Sequence, residues 1–143
     1  VIVLKTKTIP QGISAMLAFD PDKTVEENTD GMDTAISAVK TGQITYAARD
    51  SEFDGSAIKE GDFMALLEGK LNGHSKKFEE TAKRLAKDMC DKDAQFITVI
   101  TGADASAEQT DCLRQAFENE AKDAEITVVN GGQPVYYFIV SVE

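Results

Sequence analysis

The stretch that most constrains the fold is the C-terminal run Glu125 to Glu143, EITVVNGGQPVYYFIVSVE, a long segment with no polar face. Ile126, Val128 and Val129 form a short β-branched run, Gly131 and Gly132 interrupt it, and Pro134 admits a second run from Val135 to Val142. In that second run both alternating sets are apolar or aromatic: Val135, Tyr137 and Ile139 on one side, Tyr136, Phe138, Val140 and Val142 on the other. A strand with two apolar faces is one covered on both. The spacing predicts two strands and a tight corner at the centre of a sheet. The expected class is therefore α/β, a mixed β-sheet with flanking helices.

A chain of 143 residues that is 42% hydrophobic suits one domain able to bury a real core. Its longest apolar run falls far short of the ~20 residues that span a bilayer, so no membrane insertion is expected and a cytoplasmic location is the default. Cys90 and Cys112 fall in separate predicted helices without CxxC spacing, which favours reduced thiols over a zinc site or redox pair. The net charge of −10 disfavours nucleic acid and anionic membranes, both of which need basic patches. What it leaves open is a basic partner or a merely solvated acidic surface. The chain opens on Val1-Ile2-Val3-Leu4 without an initiating methionine, and we read it as a piece of a longer protein.

Taken in order, VIVL reads as a buried-type strand and Lys5 to Thr8 as the loop at its end. Thr8 can cap a helix with Pro10 in its first turn, where a missing N–H costs nothing. Ile13, Met16, Leu17 and Phe19 are expected to give that helix its buried stripe. Thr24 and Glu27 form a capping box for a second helix, with Met32, Ala35, Ile36 and Val39 at helical spacing and Gly42 as its C-terminal cap. Gln43 to Asp50 reads as a strand followed by a turn at Asp54-Gly55. Phe63 to Leu71 reads as a hairpin turning at Glu68-Gly69, placed nearer an edge of the sheet. Ser75 is expected to cap a helix from Lys76 to Cys90 that buries Phe78, Ala82, Leu85, Ala86 and Met89. Phe96 to Thr101 is another strand. Ser106 and Gln109 box the last helix, whose buried face is Leu113, Ala116 and Phe117.

The chemistry is mostly a set of absences. His74 is the one histidine, it follows Asn72-Gly73, and no second ligand or base stands near it in sequence, so an exposed turn residue is expected. No GxxxxGK[ST], GxGxxG or GxSxG motif occurs. The carboxylates Glu79, Glu80, Asp88, Asp91 and Asp93 read as solvated charge on one helix and its end. Two loops remain. In Thr6 to Gly12, hydroxyls, a lysine and an amide gather at a helix N-terminus, which favours anions; in Asn130 to Pro134, paired glycines permit close backbone approach.

Four stretches carry a resemblance: KTKTIPQGISAMLAFDP (Lys5 to Pro21), KTGQITYAARD (Lys40 to Asp50), IKEGDFMALLEGKL (Ile58 to Leu71) and NGGQPVYYFIVSVE (Asn130 to Glu143). They closely resemble the C-terminal region of the bacterial fatty acid kinase A subunit, of the dihydroxyacetone kinase-like family, and the order of elements is similar to the latter part of the DegV fold. The resemblance implies a single C-terminal domain over 1–143, with 1–42 read as the remnant of a preceding subdomain. It implies a kinase that phosphorylates the carboxylate of a fatty acid carried by a separate DegV-like protein, with ATP and Mg held in an N-terminal domain and no cofactor in this fragment. The fragment alone is expected to be inactive and to dock the loaded carrier, with Thr8, Gln11, Gly132 and Gln133 as the docking edge. A lipid-binding module and a dimerisation domain, hence a homodimer, are the alternatives. The DegV pattern has an Asp-Ser-type loop after the first strand, and this chain has Lys5-Thr6-Lys7-Thr8 instead.

Overall fold

The computed structural model describes all residues, Val1–Glu143. Six strands make one mixed sheet, β1 (Lys40–Tyr46), β4 (Phe63–Leu67), β5 (Lys70–Ser75), β6 (Phe96–Thr101), β7 (Glu125–Asn130) and β8 (Phe138–Val142), in the order β5-β4-β1-β8-β6-β7. A separate hairpin joins β2 (Ser51–Phe53) to β3 (Ser56–Ile58). The helices are α1 (Ile9–Leu17), α2 (Val25–Ala38), α3 (Phe78–Met89) and α4 (Ala107–Glu120). β8 runs antiparallel to β1 on one side and to β6 on the other, while β6 and β7 are parallel and are joined through α4. All five residues of β8 are buried. The two-sided apolar pattern thus marks the centre of the sheet, and the hairpin β4–β5 lies at one edge as expected.

The C-terminal run divides differently from its sequence reading. β7, the first half, is the opposite edge strand, with Ile126 alone partly covered. The second strand starts at Phe138 rather than Val135, because a tight corner occupies the residues before it. The Tyr136 amide donates to the Pro134 carbonyl at 2.8 Å around Val135, which sits at φ 71. That is a γ-turn of the positive-φ kind, rare for any residue and costly for a β-branched one.

Alternation sorts the sheet residues into two faces. Ile97 and Val99 of β6 and Phe138, Val140 and Val142 of β8 join Ile44, Leu85, Met89, Leu113 and Phe117 in the main core under α3 and α4. The other face, with Phe96, Thr98, Ile100 and Ser141, looks across a small cleft of about 120 Å³ at Pro10, Ile13, Ser14 and Leu17 of α1. Gly42 does not cap α2, which ends at Ala38 with Val39 as its C-cap. It lies inside β1 against the Met89 side chain, where a Cβ has no room. Ser75 is likewise no N-cap: α3 starts at Phe78, two residues later than a Ser75 cap would place it, so the cap position is Lys77 without a side-chain bond. Ser75 Oγ accepts from the Lys77 amide at 3.1 Å and donates to Glu80 at 2.7 Å instead. Residues 1–7 form no strand, since no neighbouring strand pairs with them, and Val1, Ile2 and Val3 are exposed.

The other local signals act as expected. Both capping boxes are closed, Thr24 with Glu27 and Ser106 with Gln109. Asp54-Gly55 and Glu68-Gly69 turn their hairpins with two successive positive φ values, the geometry that matches strand twist.

Candidate docking surface

The first candidate loop is built by the start of α1. Thr8 Oγ1 accepts from the Gln11 amide at 3.3 Å and lies 2.9 Å from Thr41 Oγ1, which ties the helix to the first strand of the sheet. Gln11 Oε1 in turn accepts from the Lys7 amide at 2.8 Å. Both side chains therefore serve the helix terminus, and neither is buried.

The second loop follows β7. The Gly131 and Gly132 amides both donate to the Thr101 carbonyl at 3.0 Å, and Gly132 takes φ 63, a conformation that suits glycine. Gln133 Nε2 reaches the carbonyls of Ile100 at 3.2 Å and Tyr136 at 3.3 Å, while its own carbonyl accepts from Ala103 at 2.9 Å. Gly102 completes the corner: a side chain there would collide with the Tyr136 carbonyl. The loop is a bolted corner whose polar groups mostly bond internally.

The structure does not bring the two loops together. Thr8 sits over Thr41, the partner of Ser141, whereas Gly132 sits beyond Thr101, the partner of Phe138. Three residues of strand separate those positions, about 10 Å along β8. Thr8 and Gln11 therefore belong to one end of the sheet, Gly132 and Gln133 to the other.

Gly132 rims an open cleft of about 680 Å³ at the C-terminal ends of the parallel strands β6 and β7, bounded by Thr101, Thr110, Asp111, Val128 and Asn130. Such ends are where α/β sheets place their sites. The lining holds no Lys, Arg or His, and Asp111 adds negative charge, so its side chains offer a phosphate no cation. Nowhere do three or more His, Cys, Asp or Glu side chains converge as for a metal. Both cysteines are free. Burial, then the nearby carboxylates of Glu120 and Asp91, push the Cys90 thiol up to about 11, and burial raises Cys112 as well. Neither is an activated nucleophile.

His74 is not the turn residue its neighbours suggest. It lies in β5, and the register of β4 with β5 places its Nδ1 2.9 Å from Oδ2 of Asp62, which is 5% exposed. Burial works to raise the Asp62 carboxyl, but the bonds from His74 and the Lys59 amide and the charges of His74 and Lys76 outweigh it and hold it low. The pair is separated by twelve residues, so only the hairpin register reveals it.

Sequence reasoning missed the broadest feature of the surface. Ile13, Met16, Leu17 and Phe19, expected as the buried stripe of α1, are exposed, Leu17 by 82%. The helix is short, and its tighter contacts run through Pro10 and Ala15. Val25 on α2 is exposed by 69%. Together with Ile2 and Ile9 they form an apolar surface on the α1–α2 side of the molecule.

This mixed sheet, with α3 and α4 over its core and α1 at its far face, has the fold of DegV proteins. A DegV family protein of Corynebacterium glutamicum superimposes with TM-score 0.62 at 14% identity, over 94% of this chain and 59% of that one. Another from Ruminococcus gnavus, whose structure was refined with vaccenic acid, gives 0.57 at 12% identity over 94% of this chain and 55% of the other. The chain belongs to the FakA-like C-terminal family, that of the fatty acid kinase A subunit, whose model matches residues 1–143. Protein YloV of Bacillus subtilis is 42% identical over 143 residues, all of this chain and 26% of that protein. An uncharacterised protein of Staphylococcus haemolyticus is 39% identical over 142 residues, 99% of this chain and 26% of its own length. The chain thus spans about a quarter of the length of these relatives. No helix is long and apolar enough to cross a membrane.

Proposed function

We propose that this domain docks a DegV-like carrier loaded with a fatty acid, so that a separate part of the kinase, holding ATP and Mg, phosphorylates the fatty acid carboxylate. The observation that carries the reading is a DegV fold inside a fatty acid kinase family. A domain with the architecture of the carrier contributes by bringing two reactants together, which can supply much of a rate enhancement without any side chain of its own in the reaction. The apolar side chains of α1 and α2 supply the contact area such a surface needs. Thr8 and Gln11 set the start of α1, and Gly132 and Gln133 hold the opposite corner in shape, so these four act on docking through the loops they fix.

The lipid-binding alternative needs an enclosed apolar cavity. Here Leu85, Met89, Leu113, Phe117 and Phe138 fill the space between sheet and helices with essentially no exposure, and the apolar groove at α2 is open to solvent. The test is calorimetry of this chain against a fatty-acid-loaded DegV-like carrier and, separately, against ATP with Mg²⁺. Carrier binding without nucleotide binding is expected, and micromolar nucleotide binding would overturn the reading.

A further inference from the structure

Residues 1–4, the end of α1 and the first turns of α2 enclose an open groove of about 340 Å³ walled by Ile2, Leu4, Phe19, Val25 and Met32, with Lys23 the one charged side chain in its lining. Val25, Thr29 and Met32 recur at i, i+4 and i+7 and so form one stripe of α2 along the groove. Glu26, Asp30 and Asp33 repeat that spacing one residue further on. They form the adjoining stripe, and Glu26 and Asp30 approach Ile2 at the rim. From Phe19 to Ala38 the chain carries six carboxylates and one base, Lys23, which is paired with Asp20 at 3.8 Å. The acidic stripe itself has no cationic partner, in contrast to α3, where Glu79 pairs with Lys83 and Glu80 with Lys77.

The groove is preformed. Asn28, which is buried, donates through Nδ2 to the carbonyls of Asp20, Lys23 and Thr24 at 2.8 to 3.2 Å. Its Oδ1 accepts from the Asp20 amide at 2.8 Å, so one side chain ties the α1–α2 connection to the first turn of α2.

We infer that this groove seats a basic, apolar-anchored face of the carrier. One bulky apolar side chain enters between Phe19, Val25 and Met32, and Lys or Arg side chains align with Glu26, Asp30 and Asp33. The inference rests on the docking reading and names its contact. Charge complementarity selects this occupant: a free fatty acid would bring its carboxylate to a rim where Glu26 and Asp30 stand and the one base, Lys23, is already paired with Asp20, and a second copy would bring the same stripe and another net charge of −10.

The experiment titrates an oleate-loaded DegV-like carrier into this chain at low and at physiological salt. It uses the wild type, the triple variant Glu26→Gln, Asp30→Asn, Asp33→Asn, and Val25→Ser. Removing like charges from one helix face leaves the fold intact, which circular dichroism checks. The triple variant is expected to bind roughly 10-fold more weakly and to lose most of the salt dependence. Val25→Ser is expected to weaken binding about 5-fold at both salt concentrations. Equal binding by wild type and triple variant would overturn the groove assignment while leaving the docking reading standing. No binding by the wild type would overturn both.

Discussion

The two helical pairs carry apolar residues at the same helical spacing and treat them in opposite ways. On α3 and α4, Leu85, Met89, Leu113 and Phe117 are fully buried against Ile97, Val99, Phe138 and Val140. Each such side chain is worth about 2 kcal/mol of burial, as an upper estimate. On α1 and α2, Met16, Leu17, Phe19 and Val25 stand in solvent. Charge follows the same division, paired along α3 and unpaired along the acidic stripe of α2. One pair builds the fold. The other holds side chains that the isolated domain does not use for stability, which is what an interaction surface requires.

The comparison breaks first at its extremes. Leu85→Ala in α3 should cost about 3 to 4 kcal/mol and Leu17→Ala in α1 less than about 0.5 kcal/mol, read as shifts in urea midpoint at constant slope. Comparable losses at both positions would mean that α1 is as deeply packed as α3. Gly102→Ala pushes a methyl into the Tyr136 carbonyl and should cost about 2 to 3 kcal/mol, since backbone, unlike the tip of a side chain, cannot step aside. The same substitution at Gly12, in α1 with open space around it, should stabilise by about 0.5 kcal/mol. Val135→Gly relieves the positive φ of the corner and should raise stability by roughly 1 kcal/mol.

Acid sharpens the contrast further. Hydrogen bonds from Lys83 and Ser75 hold Glu79 and Glu80 below the usual carboxylate range, and Lys40 and the Asp93 amide do the same for Asp91. Asp50 is held low by the Glu60 amide and Lys59. Folded values below unfolded ones give stability that is complete above the ordinary carboxylate pKa of about 4 and is lost as pH falls through the folded values. Thermal midpoints should thus be flat near neutrality and decline below about pH 4. Amide exchange should show protection lost around α3 and the β2–β3 hairpin, where these groups lie, with Glu27 the one such carboxylate on α2.

Much of the fold was legible because it rests on neighbours in the chain. Thr24 with Glu27 and Ser106 with Gln109 cap their helices, and the Asp54-Gly55 and Glu68-Gly69 pairs turn their hairpins, because each signal is complete within four residues. The stripe Ala82, Leu85, Ala86 and Met89 was correct for the same reason, helped by the long apolar strands available to cover it. The candidate site was legible only as two loops. That Thr8 and Gly132 lie at opposite ends of β8, or that His74 meets Asp62, depends on strand register, which no local pattern encodes.

The sequence by itself determined most of the helices and strands, VIVL and the corner before Phe138 excepted, and that Phe138 to Val142 has two apolar faces, since propensity, capping and alternation are local. Only the tertiary structure decided which apolar surfaces are covered. EITVVN and FIVSV each carry one Ile and two Val, yet pairing on both sides makes β8 the centre of the sheet and leaves β7 its edge. Met16, Leu17 and Leu85 are alike in type and spacing, yet the sheet lies under α3 while solvent lies over most of α1. Periodicity specifies that a face is apolar, and whether that face meets a partner is a property of how distant segments pair.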